Sequence, residues 1–327
     1  MTAASREALL AIALAASMLS ACASSTPRLT ELIDPGTPAR IELADVPFFP
    51  QQEYQCGPAA LATVLDRPDR RVTPAELVPR VYLPGRRGSL QPELVAATRS
   101  YDRLPYLVEP SLDDAVAQLA GGRPVLVMQN LGWRIRPAWH FAVLVGYDAP
   151  SSTVVLRSGT TERRVMKARR FDRTWARADR WALVVLEPGE LPARPDLDRY
   201  MSAAASLEAV GRRDAARAAY LRALDEWPES PWPWLGLANL EHAQGRLERA
   251  HDAYRAALDR DPGHVAARHN LAETLEARGC ISRARVEIDA ARALARGTPL
   301  EARVEETARR ISVLPPPADP PPQCPPE

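Results

Sequence analysis

From residue 41 to about residue 187, short runs rich in Val and Leu alternate with polar-capped segments of helical spacing, the pattern of an α+β unit. Residues 124–131, 139–147, 153–157 and 181–187 are such runs, bounded by Gly, Pro, Asp or Ser, and they read as strands. Thr73-Pro74-Ala75-Glu76 is a capping box with proline at the first helical position, and Ser111-Leu112-Asp113-Asp114 has the same shape with Asp in place of the usual Glu. Each predicts a helix of two or three turns. Pro58 and the small apolar residues after it predict another helix, whose amino terminus falls at or just after Cys56. Pro188, Gly189, Pro192 and Pro195 then break the pattern, marking residues 188–197 as a linker and closing a first domain at 41–187.

Beyond the linker the chain repeats itself. Pro228 and Pro262 stand 34 residues apart, as do Ala216, Ala250 and Ala284; Gly211, Gly245 and Gly279; and Ala223, Ala257 and Ala291. Tyr220 and Tyr254 share a column with Ile288, and Leu237 and Leu271 share one with Ala203. These columns resemble tetratricopeptide repeats, in which each copy is a helix–turn–helix with small residues where helices cross and a proline ending the second helix. A generic alanine-rich bundle is the alternative, and four columns in one register count against it. Arg296 stands where the third copy would carry its proline, so residues 198–314 are expected to hold three repeats and a capping helix over about 299–314. Residues 315–327 are proline-rich and predict an extended, disordered tail.

Composition adds limits rather than chemistry. A chain of 327 residues suits two domains, and 46% hydrophobic with 25% charged residues excludes wholesale disorder, collagen and a multispan membrane protein. Lys+Arg at 42 against Asp+Glu at 41 leaves a net charge of +1, so no nucleic-acid partner is expected. Lys167 is the only lysine, which reflects GC-rich coding rather than phosphate recognition.

The amino terminus reads as an address. Arg6, an apolar run from about Leu9 to Leu19 and then Leu19-Ser20-Ala21-Cys22 have the layout of an export signal over residues 1–22, too short for a spanning helix. The small residues before Cys22 resemble the cleavage signal of bacterial lipoproteins, which implies a lipid-modified Cys22 followed by a tether over residues 23–40. An ordinary signal peptide with a chance cysteine is the alternative. By the same resemblance, the lack of Asp after Cys22 implies the outer membrane, with the protein facing the periplasm. Cys56, Cys280 and Cys324 remain. Cys280 and Cys324 either pair in an oxidising periplasm or stay as two free thiols, and Cys56 is the odd one.

The candidate chemistry lies in the first domain. Cys56 sits where unpaired backbone N–H groups and the helix dipole favour a thiolate. A base is needed, and His242, His251, His264 and His269 all fall in the repeats, where the pattern predicts solvated faces. His140 remains, at the start of an apolar strand and preceded by Trp139. A cysteine before a helix is more often inert than reactive, and a histidine at a strand start more often structural; together they make a nucleophile and a base. A metal site fits less well, since Cys56 and His140 give two ligands and the spacing offers no second Cys or His. No cofactor is implied.

Gln51 to Leu61, with Cys56-Gly57-Pro58-Ala59-Ala60-Leu61 at its end, and the run Trp139-His140-Phe141-Ala142-Val143-Leu144-Val145-Gly146-Tyr147-Asp148 resemble papain-like bacterial cysteine peptidases of the bacteriocin-processing, double-glycine leader type, over about residues 45–187. The resemblance implies an α+β papain-like cysteine peptidase domain, followed here by the all-α repeat solenoid. It implies Cys56 as nucleophile, His140 as general base and then acid, and a glutamine before the cysteine as oxyanion donor. Gln51 is the choice, with Gln52 as the neighbour that could displace it and the Cys56 backbone N–H as second donor. Family members orient the histidine with an Asp or Asn, and this chain departs from them. If residues 148–152 turn between two antiparallel strands, the residue opposite His140 is about 158–160, so Ser158 falls at the orienting position. Asp148 is eight residues along the strand, roughly 26 Å away at about 3.3 Å per residue. Serine can hold a neutral imidazole but cannot stabilise an imidazolium as a carboxylate does.

The expected function is therefore an envelope-anchored cysteine peptidase acting on a peptide or protein substrate. A protein partner is expected on the repeats and a membrane through a lipid on Cys22. A catalytically quiet, peptide-binding scaffold is the alternative. The same residues also suit an amidase or transferase working through an acyl-thioester.

Overall fold

The Val- and Leu-rich runs pair into one antiparallel sheet. The computed structural model describes residues 29–51, 53–66, 70–315 and 324, so residues 1–22 with Cys22, Gln52 and most of the proline-rich tail lie outside the described residues. The strands are β1 (Arg40–Glu42), β2 (Leu104–Leu107), β3 (Val125–Asn130), β4 (Trp139–Asp148), β5 (Thr153–Ser158), β6 (Thr161–Lys167) and β7 (Ala182–Leu186). Their order is β2-β7-β3-β4-β5-β6, with β1 pairing the far end of β4. The four apolar runs become β3, β4, β5 and β7. The sequence pattern does not announce β6, because its Thr-Glu-Arg-Arg-Val-Met-Lys composition is that of a charged edge strand, which resists pairing with other chains.

Five helices complete the first domain: α1 (Cys56–Leu65), α2 (Pro74–Val81), α3 (Gln91–Ser100), α4 (Leu112–Ala120) and α5 (Ala168–Ala176). The expected caps open two of them. The Glu76 carboxylate accepts from the backbone N–H and hydroxyl of Thr73, and Ser111 Oγ accepts from the Asp114 N–H at 3.1 Å. The sheet is covered on both faces. Phe141, Val143 and Val145 of β4 pack with Leu61 and Val64 of α1, while Ala142 and Leu144 pack with Ala115 and Leu119 of α4. Two-sided burial is the reason the central strands read as continuous apolar runs instead of alternating ones.

The ladder between β4 and β5 has one irregularity. Thr153 pairs with Asp148, Val154 with Tyr147 and Val155 with Gly146, but Leu156 then pairs with Leu144 and Arg157 with Val143, so Val145 is a bulged extra residue. A side chain on Gly146 is excluded, because a Cβ there would lie 2.5 Å from the Ile41 carbonyl oxygen of β1.

The repeats form helix pairs α6 (Leu197–Ala209) with α7 (Arg213–Glu226), α8 (Pro231–Ala243) with α9 (Leu247–Arg260), and α10 (Val265–Ala277) with α11 (Ile281–Ala295), followed by α12 (Glu301–Ser312). The 34-residue columns have physical causes. Gly211, Gly245 and Gly279 all take positive φ between helices, and Ala216, Ala250, Ala284, Ala223, Ala257 and Ala291 are buried at the crossings. The histidine expectation is corrected. His251, His264 and His269 are buried, because stacking covers faces that a single helix pair would leave wet. His264 caps α10 by accepting from the Ala267 N–H at 3.3 Å, and His269 Nε2 lies 3.0 Å from Thr307 of α12. Cys280 and Cys324 form a disulfide, their Cα atoms 5.6 Å apart, which ties the end of the chain to the last repeat.

The proline-rich joint is not a loose tether. Tyr106 of β2 accepts from the Asp196 N–H at 3.3 Å, Arg194 pairs with Asp34 at 3.0 Å and with Asp113, and the Tyr200 hydroxyl donates to the Pro188 and Glu190 carbonyls. Tyr200, Ala203, Ala204 and Leu207 of α6 share one apolar core with Tyr106, Val184 and Leu119. The repeats therefore sit on the α4 face of the sheet, opposite α1. Tyr200→Ala removes a fully buried ring at this junction and should cost about 3–5 kcal/mol, the range for large aromatic truncations. Urea unfolding followed by circular dichroism should show one transition shifted as a whole; a two-step melt with one step unmoved would mean two independent bodies.

Candidate functional site

Cys56 is the first residue of α1, and Gln55 before it makes no side-chain cap. The first-turn N–H groups are thus left for the sulfur: the backbone N–H groups of Gly57 and of Cys56 itself favour its thiolate form, joined by that of Phe141. Phe141 is available because β5 pairs with β4 only from Val143 onward. On that open stretch the Phe141 carbonyl accepts from Gln51 Nε2 at 3.3 Å, while the Gln51 N–H donates to the Gly159 carbonyl at 3.1 Å. One backbone unit of β4 therefore positions both the cysteine and the glutamine. Gly57 lets the helix approach Ser89, whose Oγ would lie 2.2 Å from a Cβ at that position.

His140 is the second residue of β4, and its Nε2 lies 2.9 Å from Ser158 Oγ at the end of β5. The bulge makes this contact possible. Had the Asp148–Thr153 register run on unbroken, Ser158 would pair with residue 143 and point to the face opposite His140. With Val145 set aside it falls opposite Ala142, on the same face as His140 and one diagonal step away. With Nε2 engaged, Nδ1 is the imidazole nitrogen left for proton transfer.

Gln51, Cys56 and His140 line one cavity of about 480 Å³ with Trp139, Phe141 and Ser89. Ser158 lies buried beneath the imidazole. The residues singled out by sequence therefore come together, Gln52 lying outside the described residues. Among the described residues no group of three or more His, Cys, Asp or Glu is arranged to hold a metal.

The electrostatics correct one expectation. Burial pushes the Cys56 thiol up, outweighing the three N–H groups that favour its thiolate. Burial, followed by the charge of Arg164, holds His140 down at about 4. The resting pair is therefore thiol and neutral imidazole, because the helix terminus does not offset the loss of water around the sulfur. A serine partner adds a second constraint. A carboxylate can only accept from Nε2–H, which leaves Nδ1 as the base; a hydroxyl can accept or donate, so it does not fix the tautomer.

Sequence reasoning missed the Phe141 backbone and Arg157. The buried Arg157 guanidinium donates to the Ala44, Val46 and Glu162 carbonyls, fixing the segment that leads to Gln51. Its signal was a lone charge inside an apolar strand.

Residues 43–183 match the model of the Peptidase_C39 like family, and residues 197–240 and 231–274 match that of the tetratricopeptide repeat. The chain carries a peptidase-like domain followed by interaction repeats. No curated protein matches it. Among solved structures, the type III secretion translocator chaperone SycD of Yersinia enterocolitica is 21% identical, with 36% of this chain and 83% of that one covered and a TM-score of 0.34. PcrH from Pseudomonas aeruginosa is 21% identical over 36% and 91%, TM-score 0.34, and the TPR2B domain of yeast Sti1 is 17% identical over 36% and 95%, TM-score 0.34.

The pKa directions predict a pH response. Cys56 alkylation should rise with a midpoint above the roughly 8.5 of a free thiol, and the His140 ring protons should titrate near pH 4 by NMR. Because the folded His140 value lies below the unfolded 6.5, the stability of its neutral form is complete above about pH 6.5 and is lost as pH falls through about 4. A flat alkylation plateau at neutral pH would instead reveal a preformed thiolate–imidazolium pair.

Proposed function

We propose that this chain is a cysteine peptidase of the bacterial envelope, held at the membrane by a lipid on Cys22. The observation that carries the reading is the His140 imidazole held by Ser158 in the cavity that Cys56 and Gln51 line. The Cys56 sulfur attacks the scissile carbonyl while its proton passes to His140 Nδ1. Gln51 Nε2, which keeps one hydrogen beyond its bond to Phe141, and the Cys56 N–H receive the oxyanion. His140 then returns the proton to the leaving amine, and water, deprotonated by His140, cleaves the acyl-thioester. Starting from a neutral pair, the mechanism is general-base catalysis, with attack and proton transfer coupled. The repeats bring a protein partner to the enzyme.

One observation favours the second reading, a quiet peptide-binding scaffold. Ser158 neither fixes the productive tautomer nor stabilises the imidazolium. Ser158→Asp separates the two. For a peptidase, the substitution should raise Cys56 alkylation at pH 7 about tenfold and move the acidic limb of the pH–rate profile upward, since a carboxylate raises the His140 pKa. Cleavage of a peptide library, read by mass spectrometry, should disappear in Cys56→Ala and His140→Ala. No cleavage by the parent and no response to Ser158→Asp would leave the scaffold reading. The anchor is tested separately: Cys22→Ala should move the protein from the membrane to the soluble fraction.

A further inference from the structure

Residues 131–138 join β3 to β4 as a hairpin that projects from the sheet. Its tip exposes two large apolar side chains, Trp133 at 79% and Ile135 at 89%. The hairpin is held firmly at its base. Asn130 Oδ1, on a buried residue, accepts from the Gly132 and Ala138 N–H groups at 3.0 Å each, Leu131 N–H donates to the Ala138 carbonyl, and Arg177 donates to the Gly132 carbonyl. Trp133 and Ile135 are thus presented by a fixed turn, which costs water-exposed apolar area with no return inside the fold.

Beside the tip lies a cavity of about 610 Å³ between the hairpin and α5. Arg134, Arg169, Arg173 and Arg177 line it, together with Asp172 and Asp179. Asp172 is already paired with Arg180 at 2.9 Å. Arg169 and Arg173 are four apart on α5 and repel each other in the free protein, a cost that an anion between them removes. Among the described residues, Arg134, Arg169 and Arg173 take no carboxylate partner.

We propose that this hairpin and the cavity beside it form a site for anionic phospholipid at a bilayer surface. The Trp133 and Ile135 side chains enter the acyl boundary, and Arg134, Arg169 and Arg173 meet the headgroup phosphates. Apolar side chains and arginines side by side match a membrane interface, where indole rings and guanidinium groups collect at headgroup level: Arg134 shares the turn with Ile135, and Arg169 and Arg173 line the cavity next to it. A protein partner fits less well. A stable protein interface buries about 800 Å² on each side, and a protruding two-residue tip is not such a surface. Docking in this way brings the cavity of Cys56 close to the membrane, because Trp139 lines it directly after the hairpin.

The test uses protein lacking residues 1–28, so no acyl anchor contributes, and carrying Cys56→Ala, so peptidase activity plays no part. Co-sedimentation with vesicles containing phosphatidylglycerol should show binding that weakens with added salt, with little binding to pure phosphatidylcholine. Trp133→Ser with Ile135→Ser should weaken it at least tenfold, as should Arg169→Gln with Arg173→Gln, while both double variants keep the parent circular dichroism spectrum. Brominated chains should quench an emission component that Trp133→Phe lacks. Equal binding to both vesicle types, unchanged binding by the apolar variant, or no binding would overturn the proposal. So would inorganic phosphate alone saturating the arginines at concentrations where vesicles do not bind, or an acidic peptide binding there in preference to lipid.

Discussion

The candidate site depends on a one-residue slip in the pairing of β4 with β5. Side chains alternate across a sheet, so an unbroken register would send His140 and Ser158 to opposite faces. Val145 absorbs the extra residue, and the two meet at 2.9 Å. The slip is itself held from outside: β1 crosses so close to Gly146 that a β-carbon is excluded there. The Val145 carbonyl accepts from the Leu43 N–H at 2.8 Å, just after that three-residue strand.

Burial has two consequences at this site. The apolar packing that fixes α1 against β4 also removes water from Cys56 and His140, and this drives both toward their neutral forms. The thiol keeps its proton until something accepts it. In the proposed mechanism, substrate in the cleft changes that balance: an oxyanion stabilised by Gln51 and the Cys56 N–H lets sulfur give up its proton during attack rather than before it. A carboxylate at residue 158 would stabilise the charged pair beforehand. With serine there, burial leaves Cys56 as a protonated thiol at rest.

Local patterns in the sequence were legible, and long-range closures were not. The 34-residue columns could be read because each follows from a contact repeated in every copy: alanine at a crossing, glycine at positive φ. Cys56 and His140 could be found because helix starts and strand starts leave signals within a few residues, whereas Gln51 came from the family resemblance alone. Counting across the turn reached Ser158, but only as one of three positions. The bulge lies beside β1, whose three residues carry no distinguishing pattern. The burial of His251, His264 and His269 depends on neighbouring helices, which the heptad-scale pattern of one helix does not reveal. The joint at 188–197 reads as a linker from its prolines, yet its ordering comes from Asp34, Tyr106 and Asp113, all far away in sequence.

That ordered joint restricts what the repeats can do. Tyr200 and Leu207 of α6 pack into the core on the face of the sheet opposite α1. The cavity that Cys56 and His140 line opens at the sheet's end and is lined by residues of the first domain alone. The repeats therefore do not wall the cleft, and their effect on chemistry has to travel through the sheet or through the substrate itself. Because the shared core holds the two parts in one geometry, any chain bound on the repeats would reach the cleft from a fixed direction.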